Sequence, residues 1–451
     1  MTPAVYFKNV GSRVQEVLAS PRSIFDHAST RRSQLRTFIS KSVLTLLDQS
    51  LISCSNFLLG ILLARWLLPA QYGAYALSFA IFLFLSLLHQ ALLLEPMSVL
   101  GPSTYAERLK GYFRALLWIH LLTTLAIVVV LGMSAWIVDK PGRLDGLPGA
   151  LAGVALASPW ILLFHIVRRA FYWELTPGRA AAGAVLYCVL LVSGLTILYW
   201  LGFLTSFSAF LLMGIAALAT SVWQLIRLQL ALKPSNNDSP LGEVWHQHWS
   251  YGRWAMASSL AIWIPGNMYF ILLDVFGGMT NVGVFKALMN LTLPIAQTFT
   301  ALSLFFLSYA ARTRQRDGSA AVERLAWKIT MGFAGASIVY WSLIVLLRGT
   351  IVHLLYAGKY GEITRWVPWI ALYSCFWCAA HGQAIGLRAM LSPASVFYAY
   401  GVASVSSVAI GIPAMRALGI PGAIATMILS SGAGLSVVVV LLRRKVREAI
   451  D

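Results

Sequence analysis

Leu62-Leu63-Ala64-Arg65-Trp66-Leu67-Leu68-Pro69-Ala70-Gln71-Tyr72-Gly73-Ala74-Tyr75-Ala76-Leu77 carries an apolar run into a short turn and out into a second apolar run. Upstream, Phe57 to Leu68 is broken only by Arg65; downstream, Tyr72 through Leu94 holds no formally charged residue. A run of the second length crosses the ~30 Å hydrocarbon layer of a bilayer as a helix. The stretch therefore reads as the hairpin between two membrane helices.

The rest of the chain repeats that pattern. Of 451 residues, 59% are hydrophobic and 11% charged, whereas soluble globular chains carry about 25% charged residues. So few charges cannot coat a water-facing surface of this size. Apolar runs fall near 42–66, 72–95, 110–138, 147–170, 180–202, 207–231, 251–275, 281–308, 326–348, 363–387, 391–415 and 420–442, which predicts an all-α polytopic membrane protein of about 12 spans. Long helix-type runs with internal Gly and Pro argue against a membrane β-barrel, whose strands alternate over ~10 residues.

The formal charge of +18 raises the question of nucleic acid, but the positions of the charges point to a membrane and no nucleic-acid partner. With the N-terminus inside, one side holds the basic residues from Lys8 to Lys41, then Arg108, Lys110, Arg114, Arg168, Arg169, Arg179, Arg227, Lys233 and Arg253. It continues with the Arg312 to Lys328 group, Arg388, and Arg443, Arg444, Lys445 and Arg447. By the positive-inside rule both termini are expected in the cytoplasm, for a multi-pass protein of a bacterial inner membrane. No secretory signal peptide is visible, and the first span is expected to act as the targeting signal. The preceding segment 1–41, with Val5, Tyr6, Phe7, Val10, Val14, Val17 and Leu18, reads as an interfacial helix, a basic tail or a transit peptide.

The longest polar interruption, from Lys233 to Ser250, divides the spans six and six. The expected organisation is a six-helix lobe over 42–232, a cytoplasmic linker over 233–250, a second lobe over 251–442 and a basic tail over 443–451. The halves also echo each other. Leu67 to Ala76 can be laid on Gly277 to Lys286 at a constant offset, which places Pro69 on Met279 and Gly73 on Gly283. Such repeats occur in transporters because two similar bundles can rock about a central site.

Charges inside a span are expensive and are read as candidates for a wet cavity. Asp48 shares one helical face with Thr45 and Ser55, and it is also near enough to the helix end to meet Lys41. Glu95 and Pro96 follow Leu94, with His89 and Gln90 upstream. Arg253, Asn267 and Asp274 lie roughly on one face of the seventh span, which Pro265-Gly266 is expected to interrupt. Lys286, Asn290 and Gln297 share a face of the eighth, with Pro294 available to bend it. Arg168 and Arg169 precede Phe171, Tyr172, Trp173 and Glu174; guanidinium groups there suit phosphate, and they equally suit positive-inside anchoring. His120, His165 and His381 read as hydrogen-bonded structural histidines.

The cysteines Cys54, Cys188, Cys375 and Cys378 all fall in spans, so the CxxC of Cys375 and Cys378 reads as apolar packing. His246 and His248, placed in a loop, have no third ligand in view, and no metal is expected. The chain has no GxxxxGK[ST], Gly-x-Ser-x-Gly or His-Glu-x-x-His motif, and its loops are short, so no enzyme is expected.

The opening stretch, with its "ARxL", turn and "YGxYA", resembles the polysaccharide-flippase family, the O-antigen and exopolysaccharide branch of the multidrug/oligosaccharidyl-lipid/polysaccharide exporter superfamily. Asn281-Val282-Gly283-Val284-Phe285-Lys286-Ala287 is similar to the family's "VGxYxxA", with Phe for Tyr and one residue fewer before the Ala. Leu354-Leu355-Tyr356-Ala357-Gly358-Lys359-Tyr360, followed by Pro368, is similar to "LxxGxxY...P". The resemblance implies two six-helix lobes in a MATE-like V around a cavity for an undecaprenyl-pyrophosphate-linked oligosaccharide. Lipids and other polysaccharide-assembly proteins would be its partners. It implies no cofactor and leaves coupling to H+ or Na+ open. The competing readings are a cation-coupled drug or metabolite exporter of the same architecture, and an assembly scaffold.

Overall fold

The computed structural model describes residues 44–45, 47–139, 146–173, 176–228, 239–390 and 393–449. The basic segment 1–41, Lys41, Glu174 and residues 233–238 of the linker lie outside them. The first half comprises α1 (Leu47–Trp66), α2 (Pro69–Leu100), α3 (Ala106–Val138), α4 (Leu147–Trp173), α5 (Pro177–Trp200) and α6 (Ser206–Leu228). The second comprises α7 (Leu241–Asn290), α8 (Leu293–Asp317), α9 (Ser319–Leu346), the short α10 (Arg348–Tyr356), α11 (Val367–Ala389), α12 (Pro393–Leu418) and α13 (Ile420–Arg447).

By length and composition, 11 helices among the described residues can cross a membrane. Helix α7 reverses direction at Gly278, where φ is 77° and ψ 171°, a conformation glycine adopts without a Cβ clash. Its neighbours prove the turn. Descending α2, Gly73 abuts Met279, Ala80 receives the Trp263 indole N–H, and Leu92 lies against Gly252. Descending α1, Gly60 lies against Asn290 and Ser53 bonds to Gln297. Residues 241–277 and 279–290 thus run in opposite directions, and the second leg continues into α8. With α11, which adds a further apolar helix, the architecture matches the roughly twelve spans expected.

Helix α7 departs from expectation in two places. It runs unbroken through Pro265-Gly266, because losing one backbone donor does not end a helix held by neighbours. It also begins at Leu241, so His246 and His248 are helical, and Val244 and His248 are buried against the first lobe. The bend expected near Pro294 is present at Leu291-Thr292, between the second leg and α8. Pro294 has no N–H for the Asn290 carbonyl, and the break frees others. Tyr356 donates its hydroxyl to Ala287 O and Tyr340 to Leu291 O, both at 2.7 Å.

A second distortion lies in α2, where Gln90–Leu94 forms a π-helical turn. Pro96 is its cause: a proline ring clashes with the carbonyl four residues back and offers it no donor. The Glu95 N–H reaches Gln90 O instead. That leaves Leu92 O free, and the His248 Nδ1–H takes it at 2.9 Å.

The lobes meet where the offset repeat predicts symmetry. A Cβ on Gly73 would collide with the Met279 carbonyl, and one on Gly283 with the Pro69 carbonyl. Met279 is the offset mate of Pro69, so the contact maps onto itself. Ser53, whose hydroxyl bonds across to α8, has Trp263 as its mate, and Trp263 bonds across to α2. Gly73→Ala and Gly283→Ala are each expected to weaken this contact and lower the melting temperature of the purified protein. Because both insert into one contact, the double variant should cost less than the sum of the singles by at least ~0.5 kcal/mol. Additive losses in a thermal-shift assay would show that the two glycines do not share a contact.

Candidate substrate-cavity site

In the first lobe, α1 and α4 bring charges together far from the lobe contact. The Arg168 Nε lies 3.0 Å from Asp48 Oδ2, with the Asp48 side chain fully buried and Arg168 15% exposed. Tyr172 donates its hydroxyl to the same oxygen at 2.6 Å, and Arg168 Nη2 donates to Gln49 Oε1 at 3.1 Å. Asp48 Oδ1 is buried with no hydrogen-bond partner among the described residues. Asp48 therefore faces α4 inside its own lobe, and the exposed member of the group is Gln49. Half-buried Glu95 on α2 lies within electrostatic reach of Arg169, the next residue on α4. Arg168 is thus ion-paired inside the lobe, whereas Arg169 makes no ion pair with Glu95 and its Nε is buried with no hydrogen-bond partner among the described residues.

In the second lobe the charge is not matched. Lys286 is half-buried, with Nζ 5.8 Å from the centroid of the Phe270 ring. Among the described residues it has no ion pair, and a cation over an aromatic face gains far less than one on a carboxylate. Asn290 is buried and donates Nδ2–H to Tyr72 Oη at 2.8 Å. Exposed Gln297 accepts from Ser53 at 3.1 Å. Measured from that contact, Asp48 lies ~7.5 Å down α1 and Lys286 ~16 Å the other way, at 1.5 Å per residue. The two charge sites occupy different depths of the membrane.

The remaining candidates lie along α7. Arg253 is exposed on the first leg of α7, Asn267 donates to Trp263 O on its own helix at 3.3 Å, and Asp274 is half-buried close to the Gly278 reversal. Gln49 and Ser53 escaped the sequence reading, although Gln49, Ser53 and Asn56 recur at helical spacing beside Asp48. Cys375 packs its sulfur 3.5 Å from the Ser337 hydroxyl.

The loop around α10 closes the lobe contact from outside. Lys359 Nζ donates to Leu67 O, at the end of α1, at 3.1 Å. Partial burial holds the Lys359 ammonium below the ordinary lysine value. Tyr360 packs against Tyr72 and Tyr356 with ring centroids 6.4 and 5.3 Å apart. All three quoted sequence fragments therefore converge on one place, the end where the lobes touch.

No protein-family model matches the sequence, and no curated protein matches it. Solved structures match along nearly the whole chain. One is the inward-facing conformation of a multidrug resistance MATE family transporter of the MOP superfamily. It has a TM-score of 0.76 and 14% identity, over 91% of this chain and 99% of the other. A second is the lipid II flippase MurJ in an inward closed conformation, with a TM-score of 0.68 and 14% identity, over 90% and 87%. A third, an outward-facing MATE family transporter, has a TM-score of 0.63 and 15% identity over 92% and 96%. The fold is the one these transporter structures share.

The Asp48 pair provides a direct check. Asp48→Asn leaves Arg168 buried without its counter-charge, and the expected loss is ~3 kcal/mol of stability. Asp48→Asn combined with Arg168→Gln removes both charges and should recover most of that. Equal melting temperatures for the single and the double variant would show that the ion pair is not coupled.

Proposed function

We propose that the chain is a flippase that carries an undecaprenyl-pyrophosphate-linked oligosaccharide from the cytoplasmic to the periplasmic leaflet, for surface polysaccharide assembly. In this reading the lobes alternate access, and both basic termini lie in the cytoplasm of a bacterial cell. The lobes are then closed at the periplasmic end, ready to receive a substrate from inside. Residues 42–232 and 251–442 act as the two moving lobes.

The observation that carries the reading is the charge imbalance between the two lobes. Lys286 has no carboxylate partner among the described residues, and a half-buried ammonium without a counter-ion calls for an anion. Arg168 and Arg169 lie at the opposite depth, where a pyrophosphate entering from the basic side would first meet protein. Such a path supplies cationic groups at both ends of a translocation step. The resemblance of the three sequence fragments to polysaccharide flippases supports the same cargo.

A cation-coupled exporter is the second reading, and the unpartnered Asp48 Oδ1 favours it. Arg168 already neutralises Asp48 and occupies its other oxygen, so the carboxylate has little charge left for a metal cation. The flippase reading is therefore preferred.

Deletion of the gene is expected to make lipid-linked oligosaccharide accumulate and to remove the surface polysaccharide. Lys286→Ala, at normal protein level, should slow export about tenfold or more, the equivalent of losing one charge-assisted contact of ~1.5 kcal/mol. Lys286→Arg should retain most of it. Normal polysaccharide with no accumulated precursor in the deletion strain would sink the flippase reading.

A further inference from the structure

Three histidines of the first lobe, two of them buried and one half-buried, take no part in the site above. His89 ends the regular part of α2 immediately before the π turn, His120 lies on α3 and His165 on α4. His89 and His120 are 3% and 6% exposed, and His89 Nε2 lies 3.1 Å from His120 Nδ1. The protons on this pair can be assigned. The Pro159 carbonyl bonds to His120, and a carbonyl only accepts, so the remaining ring nitrogen of His120, Nε2, carries a proton. Neutral His120 then has a bare Nδ1, and His89 must donate to it from Nε2. That leaves His89 Nδ1 as a bare acceptor, and it is buried with no partner among the described residues.

An acceptor nitrogen buried without a donor is costly. Its imidazole would become a cation already bonded to His120 on taking up one proton. The cation would sit next to a backbone segment that cannot form a regular helix. Within that segment Leu92 O is bonded to His248, whose Nε2 accepts from the Tyr112 hydroxyl at 2.8 Å. Gly252 of α7 is seated on the same Leu92 backbone. His89 is thus three residues from the point where the inter-lobe helix rests on the first lobe.

We propose that His89, paired with His120, is a proton-binding site of the first lobe, and that its occupancy shifts the π turn of α2 and with it the seating of α7. The chemistry is the addition of one proton to His89 Nδ1, with no other bond made or broken. The titratable groups within electrostatic reach of it are His120 from α3 and His165 from α4; Arg168 and Arg169 lie beyond His165, and the other ionisable groups of the elements around it are Glu95 on α2 and His248 on α7. His248 has both ring nitrogens satisfied, and burial holds it below the ordinary histidine value, so it is not the open acceptor. Use of the site to drive transport rests on the carrier reading above, whereas the binding of the proton does not.

The test therefore uses the full-length protein in lipid nanodiscs with no sugar-lipid present. Its native cysteines, and the histidines His27, His246 and His353, are replaced. Histidine-ring 15N NMR is expected to show one ring taking up a proton as the pH is lowered. His89→Gln should abolish that titration and His165→Gln should leave it. Spin labels at exposed Ser103 and Gln315, at the basic ends of the two lobes, should report two distances. Their population ratio should change over the same pH range, by about tenfold for each unit of difference in proton affinity between the two states. The pH response should disappear in His89→Gln. The absence of any titrating ring in this background overturns the proposal even where His89→Gln does not fold. So does a distance response that persists in His89→Gln. Normal proton binding beside failed export of lipid-linked oligosaccharide would overturn the cargo assignment alone.

Discussion

Two peptide backbones touch between Gly73 and Gly283, and the position of every other inter-lobe contact follows from that approach. In a bilayer the surrounding lipid is as apolar as leucine, so helices gain little from hiding apolar side chains and associate by close packing instead. Removing both Cβ atoms lets α2 and the second leg of α7 meet peptide to peptide, with each carbonyl occupying the space a side chain would need. The tyrosines around them are buried, and Lys359 holds the end of α1 from above. Toward the basic end the lobes stay joined by α7, whose Gly252 and His248 rest on the Leu92 backbone.

The charges respect this geometry. Near the basic end, Arg168 and Asp48 are partners within the first lobe, so neither is buried without a counter-charge. Nearer the closed end, Lys286 rests on Phe270 alone among the described residues. The first arrangement is a store of charge that is already balanced, and the second is a charge in search of a partner. On the flippase reading proposed above, an unbalanced cation deep in the second lobe would draw an anion from the basic end toward the glycine contact.

The spans were legible because a bilayer imposes length and hydropathy on every helix that crosses it. The glycine contact was half legible: the repeat put Gly73 on Gly283, and the structure showed that residues aligned on paper are also apposed in space. Pro265 misled, since a proline inside a membrane helix weakens one bond without ending the helix, while the turn itself fell at Gly278. Asp48 and Arg168 were each recognisable as misplaced charges, but no periodicity links positions on α1 and α4 whose meeting is set by tertiary packing. The pairing of His89 with His120 was hidden for the same reason. His248 was misplaced because a polar linker composition masked the start of α7.

The tyrosine hydroxyls at the break between α7 and α8 carry a mechanical consequence. A bend in a membrane helix ordinarily exposes carbonyls to hydrocarbon, and that exposure makes bending steep in energy. Here Tyr356 and Tyr340 hold the carbonyls of Ala287 and Leu291 from α10 and α9, so the two segments can change their angle while those oxygens stay solvated by protein. The break behaves as a lubricated joint. Any motion of the loop bearing Tyr356 is transmitted to the helix that carries Lys286, one residue before the carbonyl it grips.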